Sequence, residues 1–156
     1  MNNKLKNYTR DNVRNRLEDA DPYTIIQMLM QGVLENCSYA KGAIQNNNIE
    51  KKAHHIGRAQ AILESLIVSL NPEAGADATD NLIGLYGYMS DRLMTASVER
   101  NVEIIDEVMG LMLQIKGAWD QIPADARQEA HEVLSKLHAE EDAAHEQEVQ
   151  RIASSA

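Results

Sequence analysis

Asn81-Leu82-Ile83-Gly84-Leu85-Tyr86-Gly87-Tyr88-Met89-Ser90-Asp91-Arg92-Leu93-Met94-Thr95-Ala96-Ser97 is the stretch whose pattern decides the fold. Leu82, Leu85, Tyr86, Met89, Leu93 and Ala96 recur at the i, i+3, i+4, i+7 spacing that places side chains on one face of an α-helix. The pattern predicts a central bundle helix with one face covered by its neighbours. What the other side of the helix does is the functional question.

Working outward, the same period recurs on three more segments. Asp21-Pro22 reads as a helix start, with Asp as N-cap and Pro at the first helical position. The helix that follows should reach about Gln45, with Ile26, Leu29, Met30, Val33, Cys37, Ala40 and Ile44 on one broad face. Ile25, Met28 and Leu34 widen that face beyond what one partner helix needs. Gly32 gives another backbone room to approach, at about 1 kcal/mol of helix propensity relative to Ala. Asn46-Asn47-Asn48 forms a tight turn, and Asn48 caps the next helix. There Ile49, Ala53, Ile56, Gln60, Leu63, Ile67 and Leu70 make a seam, with Ala59, Ile62 and Leu66 beside it, ending at Asn71-Pro72. Glu73 to Asp80 reads as a loop. Beyond the opening stretch, Ser97 or Asn101 caps a fourth helix whose face carries Val102, Ile105, Val108, Met109, Met112, Ile115 and Trp119.

The two ends differ in character. Residues 1–20 are polar with isolated Leu5, Tyr8, Val13 and Leu17, enough for a short segment laid over a groove but not for independent stability. From Pro123 on, Ala126, Ala130, Val133, Leu134 and Leu137 supply about three turns of docking surface. Beyond His138 the chain is acidic and helix-prone, with little to bury. Short connections make sequential helices antiparallel. The expected fold is all-α: an antiparallel up-down four-helix bundle over 21–122, a cover segment over 1–20, and an acidic C-terminal helix over 123–156.

Composition agrees. The chain has 156 residues, 44% hydrophobic, with no Phe and only 4% aromatics. Such a core is packed by Ala, Leu, Ile and Met, which suits helix on helix. A net charge of -9 and the lack of a dense Lys/Arg block argue against nucleic acid and anionic membranes as partners. The N-terminal Lys4, Lys6, Arg10, Arg14 and Arg16 read as a solvated arm. No segment approaches the length of an apolar membrane span and no leader is evident, so a cytoplasmic location is expected. The single cysteine, Cys37, reads as a small core residue.

Catalytic patterns are missing. A di-iron bundle needs Glu-x-x-His pairs, and no Glu here is followed by His at the third position. Asp142-Ala-Ala-His145 has the spacing but lies in the acidic tail. His54 and His55 are adjacent and should point to different sides. Glu99, Glu103 and Glu107 recur at single-turn spacing and read as an exposed face. Neither a nucleophile elbow nor a phosphate loop occurs. No enzyme activity, metal or cofactor is expected. What remains is surface: Met28, Met30, Met89, Met94, Met109 and Met112 are soft side chains that serve either a core or an adaptable groove. Tyr86 and Tyr88 serve either as bundle-edge aromatics or as contacts.

Four segments together resemble one family. Asp21-Pro22 with Ile25-Ile26-Gln27-Met28-Leu29-Met30-Gln31-Gly32 is similar to the first helix of the flagellar export chaperone FliS family. Asn48-Ile49-Glu50-Lys51-Lys52 with Ile56-Gly57-Arg58-Ala59-Gln60-Ala61-Ile62 resembles its second. Asn81-Leu82 through Tyr86-x-Tyr88-Met89-x-x-Arg92-Leu93 to Ala96 resembles its third, and Asn101 to Ile105 with Trp119 its fourth. The similarity covers roughly residues 8–122. It implies a non-enzymatic chaperone that binds the disordered C-terminal segment of flagellin, prevents premature polymerisation and aids delivery to the export gate. The client of such a chaperone wraps the bundle as separated helices and extended pieces. The chain departs from the family in carrying only Tyr8 where a tyrosine pair is common, and in its longer acidic tail. Tyr8, Leu17, Met28, Gly32, Gly84, Tyr86, Gly87 and Tyr88 are the expected flagellin contacts. The alternative is a bundle that uses the same stripes for self-association.

Overall fold

A computed structural model describes residues 21–70 and 76–155, with backbone only at 76–78, 128–139 and 141. The described residues contain five helices and no strand: α1 (Pro22–Gln45), α2 (Ile49–Ser69), α3 (Ala76–Glu99), α4 (Val102–Asp120) and α5 (Ala124–Ser154). The expected cover segment, with Tyr8 and Leu17, lies outside the described residues. The chain divides into two compact units. One is the bundle, residues 24–121; the described part of the other comprises residues 21–23 and 122–155.

The turns form as their residues dictate. Asn47 and Arg100 take positive φ of 54° each, the left-handed conformation that reverses a chain at little cost for Asn and at more for Arg. The Asn48 side chain accepts from the Lys51 amide at 3.0 Å, and Asn101 accepts from Glu103 at 3.0 Å, so both helix starts are capped. The C-terminal end of α3 is satisfied from outside: the Lys52 ammonium donates to the Ser97 carbonyl at 2.8 Å, a cation on the negative end of a helix.

Polar contacts fix the direction of each neighbour. From Gln27 to Lys41 the numbering rises by 14 on α1, while their partners Asp120 and Asp106 on α4 fall by 14. Moving up α2 from Lys52 to Gln60 moves the partner on α3 down from Ser97 to Ser90. Asn36 of α1 meets His55 of α2, and Arg92 of α3 meets Glu107 of α4. α1 and α4, and α2 and α3, therefore run antiparallel. The short turns after Gln45 and Glu99 reverse the chain between α1 and α2 and between α3 and α4, so the four helices form a ring with α1 and α3 at opposite corners.

The core is apolar throughout. Met30, Val33, Cys37 and Ala40 of α1 pack with Leu63 and Leu66 of α2, Tyr86, Met89 and Leu93 of α3, and Ile105, Val108 and Met112 of α4. Three details depart from expectation. α3 begins at Ala76, so helix replaces the second half of the expected 73–80 loop. The buried face of α2 is Ile56, Ala59, Leu63 and Leu66, while Ile49 and Ala53 are exposed. The seam and its neighbouring stripe thus share the burial, because a 3.6-residue period drifts off a strict seven-residue one. Glu99 closes α3 and Glu103 opens α4, so Glu99, Glu103 and Glu107 are not one helical face.

Candidate docking surface

On α3, residues opposite the core form a second row. Gly84, Asp91 and Thr95 point away from Tyr86, Met89 and Leu93, since a residue turns about 100° from the one before it. Tyr88 and Arg92 flank this row toward α4. Gly87, Met94 and Val98 flank it on the other side, the side on which Ser90 and Ser97 meet α2. Gly84, Tyr88, Met94 and Val98 are exposed, Val98 by 77%. A Cβ added at Gly84 or Gly87 would meet nothing within 4 Å, so the backbone here is open to an incoming chain.

The α4 edge of this row is polar and fixed. Glu107 takes a short hydrogen bond from the Tyr88 hydroxyl. It also accepts two from the Arg92 guanidinium, at 3.2 and 3.0 Å. The Tyr88 bond, then the Arg92 bond, hold the Glu107 carboxyl below its usual range. The same Glu107 bond pushes the Tyr88 phenol up. The result is a tyrosine ring with a fixed direction and an apolar face still exposed.

Around the ring, α4 carries Gly110, Leu113 and Gly117 on its outer side, all exposed. At the far corner, Met28 and Tyr39 are exposed on α1, and Val68 near the end of α2 is 75% exposed. The apolar surface is therefore spread over several corners rather than gathered in one cleft.

The expected contact residues separate accordingly. Gly84, Gly87 and Tyr88 come together on the open side of α3. Met28 and Gly32 share a side of α1, at the opposite corner. Gly32 is a place of close approach, but by a side chain: its added Cβ would lie 3.1 Å from Ile62 Cδ1 of α2. Tyr86 is in the core, 2% exposed, because it sits three residues before Met89 and seven before Leu93 on the buried face. Burial pushes its phenol up to about 12. Met94, one of the methionines open to either a core or a groove role, is exposed, and Val98, Val68 and Leu113 join the exposed apolar surface although the sequence reading did not single them out. The signal available was their position off the core row on helices whose core was already complete.

The buried Cys37 thiol is likewise pushed up to about 12 by desolvation, which makes it inert rather than nucleophilic. His54 and His55 do not diverge: their rings meet edge to face at 5.0 Å. His55 donates from Nδ1 to Asn36 Oδ1 at 3.1 Å. Among the described residues no group of three or more His, Cys, Asp or Glu could hold a metal ion, and no helix is long and apolar enough to cross a membrane.

The chain is similar to known proteins over most of its length. The family described as Flagellar protein FliS matches residues 2–126. Flagellar secretion chaperone FliSB of Pseudomonas aeruginosa is 37% identical over 118 residues, covering 76% of this chain and 94% of that protein. Flagellar secretion chaperone FliS of Vibrio cholerae serotype O1 is 36% identical over 125 residues, covering 80% and 92%. A crystal structure of a bacterial flagellar chaperone shares the fold at a TM-score of 0.61 and 19% identity, covering 75% of this chain and 94% of that one. On a family match that spans all of α1–α4, with relatives this similar over nearly their whole length, the chain belongs to the FliS family of flagellar proteins.

Proposed function

We propose that this chain, a flagellar export chaperone by family, binds the disordered C-terminal segment of flagellin in the cytoplasm. Binding keeps that segment from polymerising early and delivers it toward the flagellar export gate. One observation carries the reading: exposed apolar side chains and bare glycines stand on opposite corners of a bundle whose core is already filled. Exposed Met94 and Val98 stand beside the open Gly84 and Gly87 on one side of α3, a strip that suits an amphipathic partner laid along the helix. A disordered client suits such a spread surface because it can wrap several faces, at an ordering cost of several kcal/mol.

The chaperone acts by binding, not by catalysis. Its most strongly shifted described groups, Cys37 and Tyr86, owe their shifts to burial in the core and face no open cleft. Calorimetric titration with a peptide of flagellin's C-terminal segment is expected to show binding at low micromolar concentration or tighter, with a negative heat-capacity change from buried apolar area. Absence of heat at tens of micromolar would overturn the reading.

A further inference from the structure

Among the described residues, α2 carries a row of basic side chains, cationic at Lys51 and Arg58, with no acidic partner. Lys51, His54, His55 and Arg58 follow one another at i, i+3, i+4 and i+7 on α2, spanning about 10 Å along the helix. Elsewhere in the bundle Lys41, Arg92 and Lys116 are held in ion pairs, and Lys52 is held on the Ser97 carbonyl. Lys51, His54 and Arg58 are exposed and form no ion pair. The acidic neighbours Glu35 and Glu50 do not pair with them either, and Glu35 instead accepts from Gln31. Tyr39 of α1 lays its ring 5.0 Å from that of His55 and is 59% exposed, adding an apolar surface at the edge of the row. The crowding is felt by His55, which partial burial and then His54, Lys51 and Arg58 hold below the usual histidine range.

The complement is on the same chain. α5 runs on to Ser154, beyond the family match that ends at residue 126. Residue 140 and residues 142–155 are exposed. Asp142, Glu146 and Val149 share one side of α5 at i, i+4 and i+7, the same length of helix as the cationic row. Asp142 and Glu146 form no ion pair, and Val149 and Ile152 are exposed. The side chains of the row and of the acidic side are exposed, and their charges are complementary.

We propose that the distal half of α5 docks on the α1–α2 face of a second copy of this chain. Asp142 and Glu146 meet the row of Lys51, His54, His55 and Arg58, and Val149 and Ile152 cover the ring of Tyr39. The proposed exchange is reciprocal, each copy giving one acidic helix and receiving one, as a twofold dimer requires. Exposed charges make most of the contact, so the dimer is salt-sensitive.

Sedimentation velocity on the full chain, from about 5 to about 300 µM, tests this at about 50 mM and about 500 mM salt. A concentration-dependent dimer is expected at low salt, weakened at least about tenfold at high salt. Lys51→Glu/Arg58→Glu alone and Asp142→Lys/Glu146→Lys alone should each be monomeric. Mixed one to one, the two reversed chains should form a heterodimer, because each acidic or basic helix then faces a row of opposite sign. Far-ultraviolet circular dichroism shows whether each variant has kept its helix. For any that has not, the neutral Lys51→Gln/Arg58→Gln or Asp142→Asn/Glu146→Gln pair is read instead, with the same loss of dimer expected. A parent chain monomeric at about 300 µM in low salt, a dimer that survives either substitution, or reversed chains that fail to pair on mixing would each overturn the proposal.

Discussion

At the scale of single residues, burial decides role more sharply than residue type does. Tyr86 and Tyr88 are two positions apart and chemically identical, yet one is core and the other is surface. The helix turns about 200° between them, so their side chains leave on opposite sides. The leucines of the same helix divide in degree: Leu93 is fully buried, whereas Leu85 is packed against the core and still partly exposed. Leu93→Ala should therefore cost about 2–5 kcal/mol, and Leu85→Ala clearly less, about 1–2 kcal/mol. Chemical denaturation of the two variants checks the order, and equal losses would mean the buried face of α3 is centred elsewhere.

At the scale of elements, four bundle helices were legible because each carries a strong 3.6-residue period between clear stops. Pro22, Asn48 and Asn101 each stand where a bundle helix starts or is capped. Periodicity was weaker at assigning surface. It marks which side of a helix is apolar, but not how much of that side its neighbours cover. Gln60 sat in an apolar seam because its amide donates to the Ser90 carbonyl, a tertiary contact that no local pattern announces. Glu107 read as a solvated carboxylate because its partners, Tyr88 and Arg92, lie on another helix. Gly84 and Gly87 are where the element-scale reading can be tested. With nothing within 4 Å of an added Cβ, Gly84→Ala and Gly87→Ala should each stabilise the free protein by about 0.5–1 kcal/mol through helix propensity. If flagellin's backbone closes on this side of α3, the same changes should weaken its binding about tenfold, or about 1.4 kcal/mol. Stability and affinity would then move in opposite directions. A rise in stability with unchanged affinity would place the client on another face.

At the scale of the whole molecule, the ring order of the bundle sets what kind of partner it can hold. Met28 lies on α1 and Val98 on α3, at opposite corners, so no compact partner patch touches both without enclosing a helix between them. A long disordered segment can, by binding as separate pieces joined by slack chain. That arrangement has a thermodynamic signature. Met28→Asp and Val98→Asp each place a charge where an apolar side chain of the client would be buried, and each should weaken a full-length C-terminal flagellin peptide about tenfold. The two positions share no contacts, so their free-energy losses should add in the double variant, to about a hundredfold. A shorter peptide that fills only one corner should respond to only one of the two substitutions. Calorimetry on the three variants with the long and short peptides separates the cases. If the double variant binds the long peptide no more weakly than one single variant, both residues report on one site, and the client does not wrap the bundle.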